Sequence, residues 1–165
     1  MVSELIEIKN RIAEGDNSIT PEERLRVENV LPYNLDSWDG YPAEREELIA
    51  AATGKSLISL AGDSHNAWHN ELTAESKTKV GEEFATASIT SSGLEGIFGN
   101  NTALIALLEQ ANELLIDDVK YSNLSRRGYI FATFTQSQIR AEYRFIKTIS
   151  SIDNGTTTGN IVEIY

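Results

Sequence analysis

The chain has no cysteine. That excludes disulfide staples and thiolate metal sites within it, and leaves the compartment open, because a chain without thiols tolerates oxidising and reducing surroundings alike. It also has no apolar run approaching the ~18 residues that a membrane-crossing helix requires. Cations are scarce: 14 Lys and Arg stand against 25 Asp and Glu, a formal charge of −11. Such a surface repels nucleic-acid backbones and anionic membranes, so neither is expected as a partner. An anionic substrate would have to be drawn in locally, by bound cations or a small basic pocket. The N-terminus, Met1-Val2-Ser3-Glu4, has no basic segment followed by an apolar one, so no signal peptide is expected in these residues.

What is present suffices for a core. Hydrophobic residues make up 41% of 165 positions, which fits one compact domain or a large piece of one. Leu5, Ile8 and Ile12 recur at helical spacing and Gly15 follows, so Ser3–Glu14 reads as a short amphipathic helix. Thr20-Pro21-Glu22-Glu23 is a capping box with proline at the first helical position, opening a helix expected to reach about Val30. Pro32–Tyr41 reads as irregular, and Pro42 opens a third helix to about Thr53, ended by Gly54.

Ser56–Ala61 is a short apolar run before Gly62-Asp63, read as a buried strand that delivers the next residues into a crevice. Helix, strand, then polar loop is the grammar of an α/β sheet. Val80–Ala85 reads as a strand, Thr86–Gly99 as a Ser/Thr/Gly-rich loop, and Asn101 or Thr102 caps a leucine-rich helix to about Ile116. Tyr129–Thr135 and Ile139–Thr148 are expected to form an antiparallel pair, and Asp153–Asn160 a flexible tail or turn. The coarse division is a helical lead-in over 1–54, a sheet with a polar loop and helix over 55–150, and a tail over 151–165.

The chemically informative stretch is Gly62-Asp63-Ser64-His65-Asn66, just past the first strand, and both histidines of the chain lie in or near it. A carboxylate and an imidazole are good ligands for cations such as iron, zinc, manganese or calcium. On an extended segment residues two apart share a side, so Asp63 and His65 could face one metal cluster. Asn66 or Asn70 could add an amide oxygen or orient a water. The alternative is that His65 is a hydrogen-bonded loop residue; His69 is expected on a loop or helix surface. Trp38 and Tyr41 either wall a substrate pocket or pack beside the helix at Pro42. Arg126 and Arg127 either grip a phosphate or form internal salt bridges.

These stretches together resemble the PhoD-like alkaline phosphatase/phosphodiesterase family, over nearly the whole chain. The resemblance is carried by Leu31–Arg45 (Leu-Pro-Tyr-Asn-Leu-Asp-Ser-Trp-Asp-Gly-Tyr-Pro-Ala-Glu-Arg), Leu60–Trp68 (Leu-Ala-Gly-Asp-Ser-His-Asn-Ala-Trp), Val80–Glu95, Ser125–Tyr129 and Arg140–Phe145. It implies a calcineurin-like metallophosphoesterase fold, a sandwich with a mixed sheet flanked by helices. It also implies hydrolysis of phosphomonoesters and phosphodiesters, teichoic acids among them, with iron and calcium as cofactors. In the wider superfamily the last metal motif is Gly-His-x-His; Gly62-Asp63-Ser64-His65 takes its place, so the resemblance makes Asp63 and His65 ligands of different metals. The cations would then supply the attraction that an acidic surface lacks.

The family's other ligands lie on motifs that this sequence does not contain. The resemblance therefore implies the C-terminal half of such a domain, inactive by itself, with a sheet edge and an apolar face uncovered where the N-terminal half would pack. Extracytoplasmic location is a further implication, since the family carries twin-arginine signals.

Overall fold

A computed structural model describes residues 2–28, 34–152 and 155–165. The expected end of the second helix near Val30, the start of the irregular stretch at Pro32 and Tyr33, and the Asp153-Asn154 part of the expected tail lie outside the described residues. Helices α1 (Val2–Ala13), α2 (Pro21–Glu28) and α3 (Pro42–Ala51) precede strands β1 (Leu57–Ala61), β2 (Ala67–Thr73) and β3 (Lys79–Ala85). Helix α4 (Thr102–Leu115) then leads to β4 (Val119–Asn123), β5 (Gly128–Phe134), β6 (Ile139–Ile146) and β7 (Thr156–Ile164).

The caps follow from the local sequence. At α2 the Thr20 hydroxyl accepts the Glu23 N–H at 3.2 Å, and the Glu23 carboxylate accepts the Thr20 N–H at 2.8 Å, the reciprocal pair expected of a capping box. At α4 the Asn101 side chain accepts the Leu104 N–H at 3.1 Å.

The strands form a four-stranded mixed sheet, β1-β3-β2-β4, and a three-stranded antiparallel sheet, β5-β6-β7. In the first, β1 and β3 are parallel while β2 pairs antiparallel with β3 and with β4. No helix links the parallel pair: the β2–β3 hairpin folds back so that β3 inserts beside β1. The two sheets pack face to face, with Ala67 and Phe84 from the first meeting Ala141, Tyr143 and Phe145 from the second. Each large side chain buried there contributes roughly 1.5–3 kcal/mol. The Tyr143 hydroxyl crosses the core to donate to the Trp68 carbonyl at 2.5 Å, and burial keeps that phenol protonated by pushing its pKa far up.

Three strands depart from the sequence reading. β2 falls in a polar stretch because some of its inward positions are polar: His69 stacks on Phe84 with centroids 5.0 Å apart and its Nε2 lies 2.8 Å from Glu82. Lys79 pairs with both Glu82 and Glu71, and Lys120 with Glu71. Burial of polar groups is tolerated when they pair with one another, and such a strand shows no apolar alternation. β4 is short and polar as well. β7 replaces most of the expected tail: its Thr-Thr-Thr-Gly-Asn opening looks like a turn, yet it pairs with β6 from Ile139↔Ile164 to Ile146↔Thr156. Threonine suits a strand once a neighbour supplies the ladder.

The free edge of β4 is covered. Helix α4 lies along it, and two glutamates one helical turn apart accept alternate backbone N–H groups: Glu113 from Ser122 at 2.9 Å and Glu109 from Leu124 at 2.7 Å. Acceptors placed so close occupy donors that would otherwise recruit a foreign strand. At the other edge β1 pairs on one side only among the described residues, and Leu60 is 60% exposed there.

Burial, with a smaller contribution from nearby Glu113, raises the Glu109 pKa despite the Leu124 N–H. A carboxyl whose folded pKa is raised binds protons more tightly when folded, so it lowers stability as pH rises through that range. Glu109→Gln keeps an acceptor for Leu124 and removes the half-buried charge. It should raise the melting temperature at neutral pH, and the gain should vanish in acid, where the wild-type carboxyl is also neutral. Calorimetry across an acid-to-neutral series checks both parts.

Candidate metal-site turn

The end of the first sheet where β1 and β3 finish and β2 begins carries the turn Gly62–Asn66. The sequence reading treats this stretch as extended; it is a run of bends, with the Ser64 N–H donating to the Gly62 carbonyl at 2.6 Å. The left-handed backbone falls on Asp63 and His65, each with φ of 58°, and not on Gly62. The alternation argument for a shared side therefore does not apply, and the direction of both side chains is set by the turn. Left-handed φ at residues with a Cβ costs about 1–2 kcal/mol each, and is held only where surrounding contacts impose it.

Those contacts come from two other stretches. Asn66, fully buried, donates through Nδ2 to the Ser64 carbonyl at 2.7 Å and accepts the Leu94 N–H at 3.3 Å. His65 Nδ1 lies 3.0 Å from the Ser92 carbonyl. The Arg127 guanidinium, 5% exposed, donates to the His65 carbonyl at 3.0 Å and to the Arg126 carbonyl at 2.8 Å. It also forms an ion pair with Glu95, whose carboxylate accepts the Gly93 N–H at 3.1 Å. Burial opposes ionisation of Glu95, but Arg127 and the local N–H groups outweigh it and hold the carboxyl below its usual range.

The structure thus brings His65, Asn66 and Arg127 together, with Asp63 beside them in the turn. Asp63 is exposed and His65 half-buried. Among the described residues the Asp63 carboxylate and the His65 Nε2 make no hydrogen bond or ion pair, so both are uncommitted donors. Asn66 is spent on the backbone. Asn70 lies in the body of β2, its Nδ2 donating to Glu83 at 2.9 Å while its buried Oδ1 has no hydrogen-bond partner among the described residues.

Arg127 takes the internal alternative, its guanidinium closed off by Glu95. Arg126 turns away, its guanidinium 4.4 Å from the Phe145 ring centroid and bonded to Thr157. Trp38 and Tyr41 flank the short 3-10 turn before α3, both substantially exposed; no hydrogen bond or ring contact joins either to Asp63 or His65 among the described residues. His69 is a buried strand residue, not a surface one, because Phe84 and Glu82 receive its ring. A groove of about 800 Å³, lined in part by Ile49, Ile58, Lys79, Glu82 and Ile164, includes neither Asp63 nor His65. The residues that sequence reasoning gave no role are Ser92, Gly93 and Glu95. They sit in a Ser/Gly-rich stretch whose only signal was the single acid at its end.

Among the described residues no group of three or more His, Cys, Asp or Glu side chains could hold a metal ion. The model of the PhoD-like phosphatases matches residues 5–143, which include the whole turn and Arg127. This chain belongs to the PhoD-like phosphatase family. It is 34% identical over 125 residues to alkaline phosphatase D of Bacillus subtilis strain 168, covering 72% of this chain and 20% of that protein. A solved structure of PhoD superposes with a TM-score of 0.57 at 25% identity, covering 79% of this chain and 25% of the other. The expected fold, sheets flanked by helices in the metallophosphoesterase manner, is thereby met. The chain spans about a fifth of the length of the curated relative it matches. No helix among the described residues is long and apolar enough to cross a membrane.

The two histidines should respond differently to removal. His69→Ala leaves Glu82 with Lys79 as its remaining partner and a gap beside Phe84, and should cost about 2–3 kcal/mol in urea unfolding. His65→Ala removes a half-buried ring at the surface and should cost less than ~1 kcal/mol. Equal losses would contradict these assignments.

Proposed function

We propose that the chain supplies Asp63 and His65 to the metal centre of a phosphoesterase whose remaining ligands come from other protein segments. The observation that carries this reading is the pair of uncommitted donors, the Asp63 carboxylate and His65 Nε2, held in a left-handed turn of a PhoD-like phosphatase chain. They suit iron and calcium in kind: carboxylate oxygen is a ligand for both, and imidazole nitrogen for iron. They do not suffice in number, since a metal centre needs three or more protein donors to hold with useful affinity. When bound, such cations polarise phosphoryl oxygens and lower the pKa of a coordinated water.

This chain's own part is to present the two donors and keep them from collapsing into the core. The substrates on this reading are phosphate monoesters and diesters, met outside the cytoplasm as in the family at large. Residues 1–165 form the C-terminal portion of the domain, with the missing N-terminal half as partner. The one-sided β1 and its exposed Leu60 support a second reading, a non-catalytic module that binds another protein.

A single experiment separates the two. Metal content and hydrolysis of bis-p-nitrophenyl phosphate are measured for the chain alone and for the chain mixed with the unmatched remainder of alkaline phosphatase D. Metal and activity should appear only in the mixture, and His65→Ala should lower the activity at least ~100-fold. A mixture that forms a complex yet stays metal-free and inert leaves the binding-module reading and removes the enzymatic one.

A further inference from the structure

We propose that the buried Glu95–Arg127 ion pair is a positioning device that fixes the tautomer and direction of His65. The inference rests on the reading of His65 as a metal ligand for its purpose, but not for its physical content. A backbone carbonyl can only accept, so the 3.0 Å approach of His65 Nδ1 to the Ser92 oxygen places the ring proton on Nδ1. Nε2 is then the atom with the free lone pair. Free histidine favours the opposite arrangement, with the proton on Nε2, so the fold must supply the preference.

It does so by fixing both ends of that hydrogen bond. The ring side is held through the main chain: Arg127 takes the His65 carbonyl at 3.0 Å, and Asn66 takes the Ser64 carbonyl at 2.7 Å. The acceptor side is held through the loop: Glu95 binds the Gly93 N–H at 3.1 Å, and Asn66 Oδ1 binds the Leu94 N–H at 3.3 Å, on the two residues after Ser92. Glu95 and Arg127 join the halves. Gly93 is the point of closest approach: a Cβ there would lie 2.4 Å from Asn66 Oδ1 and 2.9 Å from Arg127 Nη2. No side chain fits without parting the clamp.

A merely structural ion pair would stabilise the fold without caring which nitrogen carries the proton. A positioning pair must change the tautomer when it is loosened. Outer partners that orient a metal-bound histidine are typically worth 10–100-fold in metal affinity, which sets the scale of the second effect, about 10-fold or more.

The test is the nitrogen spectrum of the His65 ring in the 165-residue chain, recorded at alkaline pH with the imidazole neutral. His69→Gln serves to assign the two rings. The wild-type ring should show a single tautomer with the proton on Nδ1. Glu95→Gln, which keeps the side-chain length and removes the charge, and Gly93→Ala, which wedges the clamp, should both move His65 toward the Nε2-protonated form while the remaining amide spectrum stays folded. Wild-type His65 protonated on Nε2, or folded variants with an unchanged His65 signal, would overturn the proposal. Should one variant fail to fold, the other and the wild-type tautomer still decide it. In the mixture with the remainder of alkaline phosphatase D, Glu95→Gln should weaken iron binding about 10-fold or more. If the wild-type mixture binds no metal while the tautomer shifts as described, the metal reading fails and the positioning role stands.

Discussion

A guanidinium out of contact with water must be paired, and in this chain that constraint organises one end of the sandwich. Arg127 lies between the two sheets in sequence, directly before β5. Its side chain returns to the end of the first sheet, where it meets the His65 carbonyl and the Glu95 carboxylate. Removing the anion from such a pair costs up to about 3–5 kcal/mol, because the buried Arg127 is left uncompensated. Arg127 therefore holds the loop after β3 and the turn before β2 to the start of the second sheet. The left-handed residues at Asp63 and His65 are imposed by this closure. Their strain is stored where the chain presents its two uncommitted donors.

The opposite end of the first sheet is organised by a different polar set. His69, Glu82, Lys79, Glu71 and Lys120 pair in sequence across β2, β3 and β4. Together with the Phe84–Tyr143–Phe145 core they give the sandwich a dry centre between two paired polar ends. In one polar set the charged groups are paired with one another. The other leaves Asp63 and the outer nitrogen of His65 unspent. That difference, and not histidine content, separates a structural histidine from a functional candidate here.

Helices α1 to α4, the strands β1 and β3, and the β5–β6 hairpin were legible because each carries a local signal: a capping box, a helical stripe, a short run of apolar, β-branched or aromatic residues; β1, read as buried, is an edge strand. β2, β4 and β7 were not, for a common reason. Their stability lies in partners: the buried ion pairs for β2, the α4 carboxylates for β4, the β6 ladder for β7. None of these is a property of the segment itself. The site was half legible. Asp63 and His65 stood out as unusual residue types after a strand, whereas Glu95 is one of 25 acidic residues and gains its role only by meeting Arg127.

The sequence by itself determined the family, through ordered stretches that together span the chain, and the residue types available to bind a cation. It also determined the helices, since capping and periodicity act over a few neighbouring residues. Only the tertiary structure decided which histidine is spent and which is free, because that depends on what lies opposite each ring. It likewise decided that Arg127 meets the Glu95 carboxylate and the His65 carbonyl. A buried cation takes its meaning from the anion that closes over it, and Glu95 reaches Arg127 only after both sheets have formed.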